Sequence, residues 1–107
     1  MTSDADSLRI DLSSSGTTTT VAVEGELDVH TAPSLAEAIA GALGGGVTAL
    51  IIDASGLRFC DSSGIQVLVQ ARERAGEAGT TLTVTGVHGS VEKVLAVTGL
   101  LDLLTEG

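Results

Sequence analysis

Val47-Thr48-Ala49-Leu50-Ile51-Ile52-Asp53-Ala54-Ser55-Gly56-Leu57-Arg58-Phe59-Cys60-Asp61-Ser62-Ser63-Gly64-Ile65 is the stretch on which the fold turns. Val47 to Asp53 is almost continuously apolar, which predicts a strand buried on both faces at the centre of a sheet with parallel neighbours. Ala54 to Cys60 follows as a predicted loop. Asp61-Ser62-Ser63-Gly64 then opens a helix, with Asp61 or Ser62 as N-cap, because a short polar side chain satisfies the unpaired N–H groups of a first turn. From there Ile65, Leu68, Val69 and Ala75 recur at helical spacing, while Arg72, Glu73, Arg74 and Glu77 fall outside the stripe. Gly76 and Gly79 close this helix.

Upstream, Leu8, Ile10 and Leu12 alternate with Arg9 and Asp11, the period of a half-buried strand. Ser13 to Gly16 reads as a turn and Thr17 to Glu24 as a second strand, so the pair predicts a hairpin. Gly25-Glu26-Leu27-Asp28 breaks that strand. Thr31 is placed to cap a helix and Pro33 suits its first turn. Leu35, Ala38, Ile39, Ala42 and Leu43 supply its apolar stripe, and Gly44, Gly45 and Gly46 stop it. The three glycines follow a helix, whereas a phosphate cradle lies between a strand and a helix, so they read as a C-cap.

Downstream, Thr80 to Thr85 alternates Leu82 and Val84 against threonines, a strand with one wetter face. Ser90 is placed to cap a third helix with Val91, Val94 and Leu95 inside, Gly99 ends it, and Leu100 to Leu104 is a short final element. The order ββαβαβα plus that C-terminal element predicts an α/β domain. Its sheet is mixed, four- or five-stranded, and parallel where helices link the strands, with about four helices around it. At 107 residues, positions 1–107 read as a single domain.

Composition narrows the function. Phe59 is the only aromatic residue, so the core is aliphatic and no stacking platform for bases exists. Five basic residues against 14 acidic ones give a formal net charge of −9, which disfavours phosphate backbones and anionic membranes. Neither nucleic acid nor membrane is expected as a partner. The single cysteine, Cys60, excludes an internal disulfide and a zinc cluster, and no metal or cofactor is expected. Met1-Thr2-Ser3-Asp4-Ala5-Asp6 lacks the pattern of a signal peptide, so the expected location is cytoplasmic.

The stretch IIDASGLRFCDSSGIQVLV, Ile51 to Val69, resembles the core motif of STAS domains, specifically the free-standing bacterial anti-sigma factor antagonists. GELDVHTAPSL, Gly25 to Leu35, is similar to that family's other landmark, and VEKVLAVTGLLDLL to its closing helix. The resemblance spans about Leu8 to Leu104. It implies a STAS-like domain whose partner is an anti-sigma factor with serine-kinase activity. The unphosphorylated antagonist would bind that partner and release the sigma factor. Phosphorylation of the serine directly after the aspartate would end this, and a serine phosphatase would restore it. Carried over, the serine is Ser62, with Ser63 as second choice. The resemblance also implies a partner-binding face of Asp28, Asp61, Ser62, Ser63, Gly64, Ile65 and Gln66. Gln66 stands where the family usually has Gly, and Cys60 where it usually has Met, Ile or Leu; Gln66 bears on which partner is accepted.

Other readings compete residue by residue. Asp61 and its neighbours are also a plain helix cap, Asp28 also a turn or capping residue, and Asp53 an acceptor for loop N–H groups. Cys60 is either a small buried apolar residue or a low-pKa thiol near a helix start. An enzyme with Ser62 or Ser63 as nucleophile needs an oriented base. Only His30, at the Gly-Glu-Leu-Asp turn, and His88, a turn residue before the third helix, are candidates, and Gly-x-Ser-x-Gly is absent. No catalysis is expected. Keeping the fold and changing the partner gives the alternative, a STAS subunit of a lipid-transport or stress-signalling complex.

Overall fold

The computed structural model describes residues 2–5 and 8–105. Its elements are β1 (Thr2–Ala5), β2 (Leu8–Ser15), β3 (Thr18–Leu27), α1 (Ala32–Ala42), β4 (Ala49–Cys60), α2 (Ser62–Glu77), β5 (Thr81–Thr85), α3 (Gly89–Val97) and α4 (Leu101–Thr105). One sheet takes the strands in chain order. β1–β2 and β2–β3 are antiparallel, whereas β3–β4 and β4–β5, joined across α1 and α2, are parallel. This is the mixed α/β architecture the periodicities predict. β1 is an addition: Thr2-Ser3-Asp4-Ala5 has no apolar alternation in sequence and pairs antiparallel with β2. The hairpin turn is tighter than Ser13 to Gly16, because β2 runs on to Ser15 and only Gly16 and Thr17 lie between the strands.

The core is aliphatic. Leu8 and Ile10, Val21 and Val23, Leu50 and Ile52, and Leu82 and Val84 turn one sheet face inward, against Leu35 and Ile39 of α1, Leu68 and Ala75 of α2, Val91 and Leu95 of α3, and Leu104 of α4. The central strand departs from its expected burial. Leu50, Ile52 and Ala54 are buried, but Ala49, Ile51 and Asp53 are only half-buried, because the helices pack their apolar stripes into one core and leave the opposite sheet face partly open. A continuous apolar run therefore marked a central strand without marking two covered faces.

Two segments read as irregular are strand. Gly25-Glu26-Leu27 does not break β3; the strand continues to Leu27 through register shifts against β4, with Gly25 at φ 117. A residue at positive φ at such an irregularity kinks a strand without ending it. Ala54 to Cys60 is not a loop but the second half of β4. Glu24 lies opposite Gly56, Glu26 opposite Phe59 and Leu27 opposite Cys60. β5 pairs only with Ala49 to Asp53, so this half of β4 has one strand neighbour. Beside it, the His88 ring bonds the Ser55 carbonyl at 2.9 Å and the Ser90 hydroxyl donates to the Arg58 carbonyl at 3.1 Å. Ser90 is therefore not the cap of α3, whose N-cap position is His88. The short C-terminal element is the helix α4, anchored by the fully buried Leu104. No helix among the described residues is long and apolar enough to cross a membrane.

Candidate functional site

The parallel strands β3 and β4 end side by side, and each is followed by an aspartate. Leu27 and Cys60 are register partners, so Asp28 and Asp61 are the next residue on each strand. The Asp61 N–H donates to the Leu27 carbonyl at 3.1 Å, tying the two strand ends together. Leu27 and Cys60 point into the core.

At the end of β4, Asp61 is the N-cap of α2. Its Oδ1 accepts the N–H of Ser63 at 2.9 Å and of Gly64 at 3.2 Å, and its carbonyl accepts the Ile65 N–H at 3.0 Å. Of the first-turn donors only the Ser62 N–H is left without a partner among the described residues. The Ser62 side chain is exposed, Ser63 is half-buried, and neither hydroxyl has a hydrogen-bond partner among the described residues. Gly64 is buried. A Cβ there would stand 2.6 Å from Leu27 Cγ and 2.8 Å from Cys60 Sγ, so glycine is what lets the helix start lie on the strand ends. Gly64 thus shapes the face from beneath. Ile65 packs partly against the core, and Gln66 is exposed one turn along from Ser62.

At the end of β3 the same chemistry recurs. Asp28 Oδ1 accepts the N–H of His30 at 2.9 Å and of Thr31 at 3.1 Å. The Thr31 hydroxyl accepts the Asp28 N–H and donates to the Glu26 carbonyl, each at 2.9 Å. Thr31 therefore occupies the N-cap position of α1, as expected, but caps the turn before the helix and not the helix itself. Partial desolvation raises the Asp28 carboxyl. The N–H groups of Thr31 and His30, the Thr31 hydroxyl and the nearby His30 ring outweigh it and hold the group below the usual carboxylate range. Asp28 is thus a turn residue by its hydrogen bonds, and half-exposed enough to meet a partner as well.

Cys60 is a buried packing residue. Burial, and the Asp61 carboxylate beside it, push its thiol up to about 11, the reverse of a reactive low-pKa cysteine. Asp53 Oδ1 accepts the Ser55 N–H at 3.0 Å, the structural role expected of it. His88 turns its ring to the Ser55 carbonyl, and His30 is exposed in the Asp28 turn. No histidine is bonded to Ser62 or Ser63 among the described residues.

Two residues at these strand ends escaped the sequence reading. Phe59 and Val29 are exposed by 45% and 61%. For Phe59 a signal existed. If Cys60 faces inward on an extended chain, its neighbour faces outward; the residue was hidden by the reading of 54–60 as a loop.

The family model described as Mlab, STAS domain, matches residues 4–105. The anti-sigma-B factor antagonist of Staphylococcus aureus is 29% identical over 84 residues, 78% of each chain. Among solved structures, an anti-sigma factor antagonist from Mycobacterium paratuberculosis superposes with a TM-score of 0.78 at 28% identity, covering 96% of this chain and 86% of that one. The anti-sigma factor antagonist SpoIIAA in its unphosphorylated form gives 0.70 at 30% identity over 87% and 83% of the two chains. The Bacillus SpoIIAA in its phosphorylated form gives 0.63 at 30% identity over 85% and 84%.

Proposed function

The chain belongs to the STAS domain family, and from that premise we propose that it is a cytoplasmic anti-sigma factor antagonist, a regulatory single domain without catalysis, switched at Ser62. In its unphosphorylated form it binds an anti-sigma factor that is also an ATP-dependent serine kinase, and so releases the sigma factor. Transfer of phosphate to Ser62 ends the binding, and a serine phosphatase reverses the transfer.

The observation that carries this reading is the exposed Ser62 hydroxyl, without a partner among the described residues, at the first position of α2 directly after the capping Asp61. A helix start favours an anion, because its N–H groups and dipole point at it. Here Asp61 already takes the Ser63 and Gly64 donors, which leaves the Ser62 N–H for a phosphate. The fold therefore tolerates the modification without needing it. Phosphate adds a charge of about −1.5 to −2 at pH 7. Placed beside Asp61 and near Asp28, it makes a face suited to a neutral hydroxyl strongly anionic. Ser63 is the weaker candidate because its side chain is half-buried.

Incubation with each ATP-binding anti-sigma factor of the source bacterium, followed by site mapping, tests the proposal. The expected result is phosphate on Ser62 from one such kinase and none in Ser62→Ala. Equal labelling of Ser62→Ala refutes the site. Absence of binding and transfer with every anti-sigma factor favours a subunit role in a lipid-transport or stress-signalling assembly.

A further inference from the structure

Four large apolar side chains are left exposed among the described residues: Val29, Phe59, Val97 and Leu103. Single exposed apolar residues are ordinary on a protein surface, so exposure alone decides nothing. The placement of two of them does. Phe59 is the residue before the inward-facing Cys60 and lies opposite Glu26, so both stand on the sheet face away from the core, two and three positions from Asp61 and Ser62. Val29 is the exposed residue of the Asp28 turn, at the end of the neighbouring strand. The ends of β3 and β4 are tied together by the Asp61 N–H bond to the Leu27 carbonyl, so Phe59, Val29 and Ser62 lie at one rim of the sheet. Val97 lies at the other end of α3 from Ser90, which contacts the β4 rim at Arg58.

Phe59 is also the chain's one aromatic residue, in a molecule whose core is built wholly of aliphatic side chains and Cys60. Aromatic side chains are the commonest energetic anchors of protein interfaces. The charge around these two residues says what they meet. Glu26, Asp28 and Asp61 outnumber the one exposed arginine beside Phe59, Arg58, so the rim is net acidic, on a chain of net charge −9. An anionic bilayer is repelled by such a rim, and so is a second copy of the same face. A basic protein surface is attracted.

We propose that Phe59 and Val29 are the apolar anchors of the docking face around Ser62, seated in an apolar recess of the anti-sigma factor whose rim is basic. The inference rests on the reading of this chain as an antagonist and adds the residues that set its grip. It also gives the phosphate a place to act. Charge added beside the anchors demands solvation where the anchors demand its removal.

The test is titration of the anti-sigma factor that phosphorylates Ser62 against wild type, Phe59→Ser, Phe59→Lys, Val29→Ser and Val97→Ser. Phe59→Ser is expected to weaken binding by about tenfold or more, the effect of losing an interface anchor. Phe59→Lys, which sets a cation against a basic rim, should weaken it further; Val29→Ser should lose less, and Val97→Ser should stay within about twofold. Circular dichroism confirms the fold of each variant. Should the Phe59 variants unfold, Val29→Ser and Val29→Lys, in an exposed turn, carry the same comparison. Binding of Phe59→Ser or, in that case, Val29→Lys within about twofold of wild type overturns the inference while leaving the antagonist reading intact. If wild type binds no anti-sigma factor, both fall together. A wild-type dimer in sedimentation that Phe59→Ser converts to monomer assigns the face to a second copy and also overturns it.

Discussion

The two helix starts at the ends of β3 and β4 use one local design for different ends. In each, an aspartate directly after a buried strand residue accepts the N–H groups two and three positions on, His30 and Thr31 for Asp28, Ser63 and Gly64 for Asp61. They differ in what becomes of the hydroxyl. Thr31 is buried and spends its hydroxyl within the turn, on Asp28 and Glu26. Ser62 is exposed and its hydroxyl is left unpartnered among the described residues. A capping aspartate therefore does not set the proposed switch apart; what does is a hydroxyl with no partner among the described residues.

Breaking what the two starts share should have the largest effect. Leu27 is fully buried, its carbonyl receives Asp61 and its side chain lies under Gly64. Leu27→Ala should cost about 2–5 kcal/mol in denaturant unfolding, the range for a buried leucine. Gly64→Ala comes next and is specific to the α2 start. Overpacking against Leu27 and Cys60 costs about 1–3 kcal/mol, and it should outweigh the ~1 kcal/mol that alanine gains in helix propensity. Net stabilisation would mean that the strand ends yield more easily than the geometry implies.

Asp61→Ala should cost about 1 kcal/mol, as for loss of an N-cap. Asp28→Ala should lower stability in a pH-dependent way. The folded pKa of Asp28 is depressed, so its contribution is complete above the unfolded carboxylate value of about 3.9 and is lost as pH falls through the lower folded value. The gap between wild type and Asp28→Ala should therefore narrow below about pH 4; a gap that widens on acidification contradicts the assignment. Smallest of all is the response of Cys60. With its thiol near 11 and its side chain buried, it should resist iodoacetamide at neutral pH in the native state and react once unfolded.

Much of this was legible in the residues. The alternation of Leu8, Ile10 and Leu12 and the stripe of α1 were read correctly, since a core-facing period is the strongest local signal. In α2 Leu68 and Ala75 were placed inside as found, whereas Ala71 was missed and Val69 lies outside the core. The start of α2 was placed at Asp61 or Ser62 by residue chemistry, and Asp61 is the N-cap. What stayed hidden depended on neighbours distant in sequence. Gly25 looked like a terminator, because only the pairing with β4 shows that the strand passes through it. Ser55-Gly56 looked like a loop for the same reason, and with it the outward turn of Phe59 was lost. Ser90 has the right residue type for a cap, but the Arg58 carbonyl, 32 positions away, takes its hydroxyl. Local chemistry marked Asp61 and Ser62 as a helix start, the family resemblance singled out Ser62 as the proposed switch, and tertiary pairing brought out the residues around it.

The most direct test of the switch is the affinity of the kinase-competent anti-sigma factor for three forms of the protein: unmodified, Ser62→Ala, and phosphorylated at Ser62. An added charge against a matched face costs several kcal/mol, so the phosphorylated form should bind roughly 100-fold more weakly or worse. Unmodified protein and Ser62→Ala should bind alike, and all three should unfold at similar denaturant concentrations. Equal affinity of the phosphorylated and unmodified forms, with both folded, would contradict Ser62 as the switch.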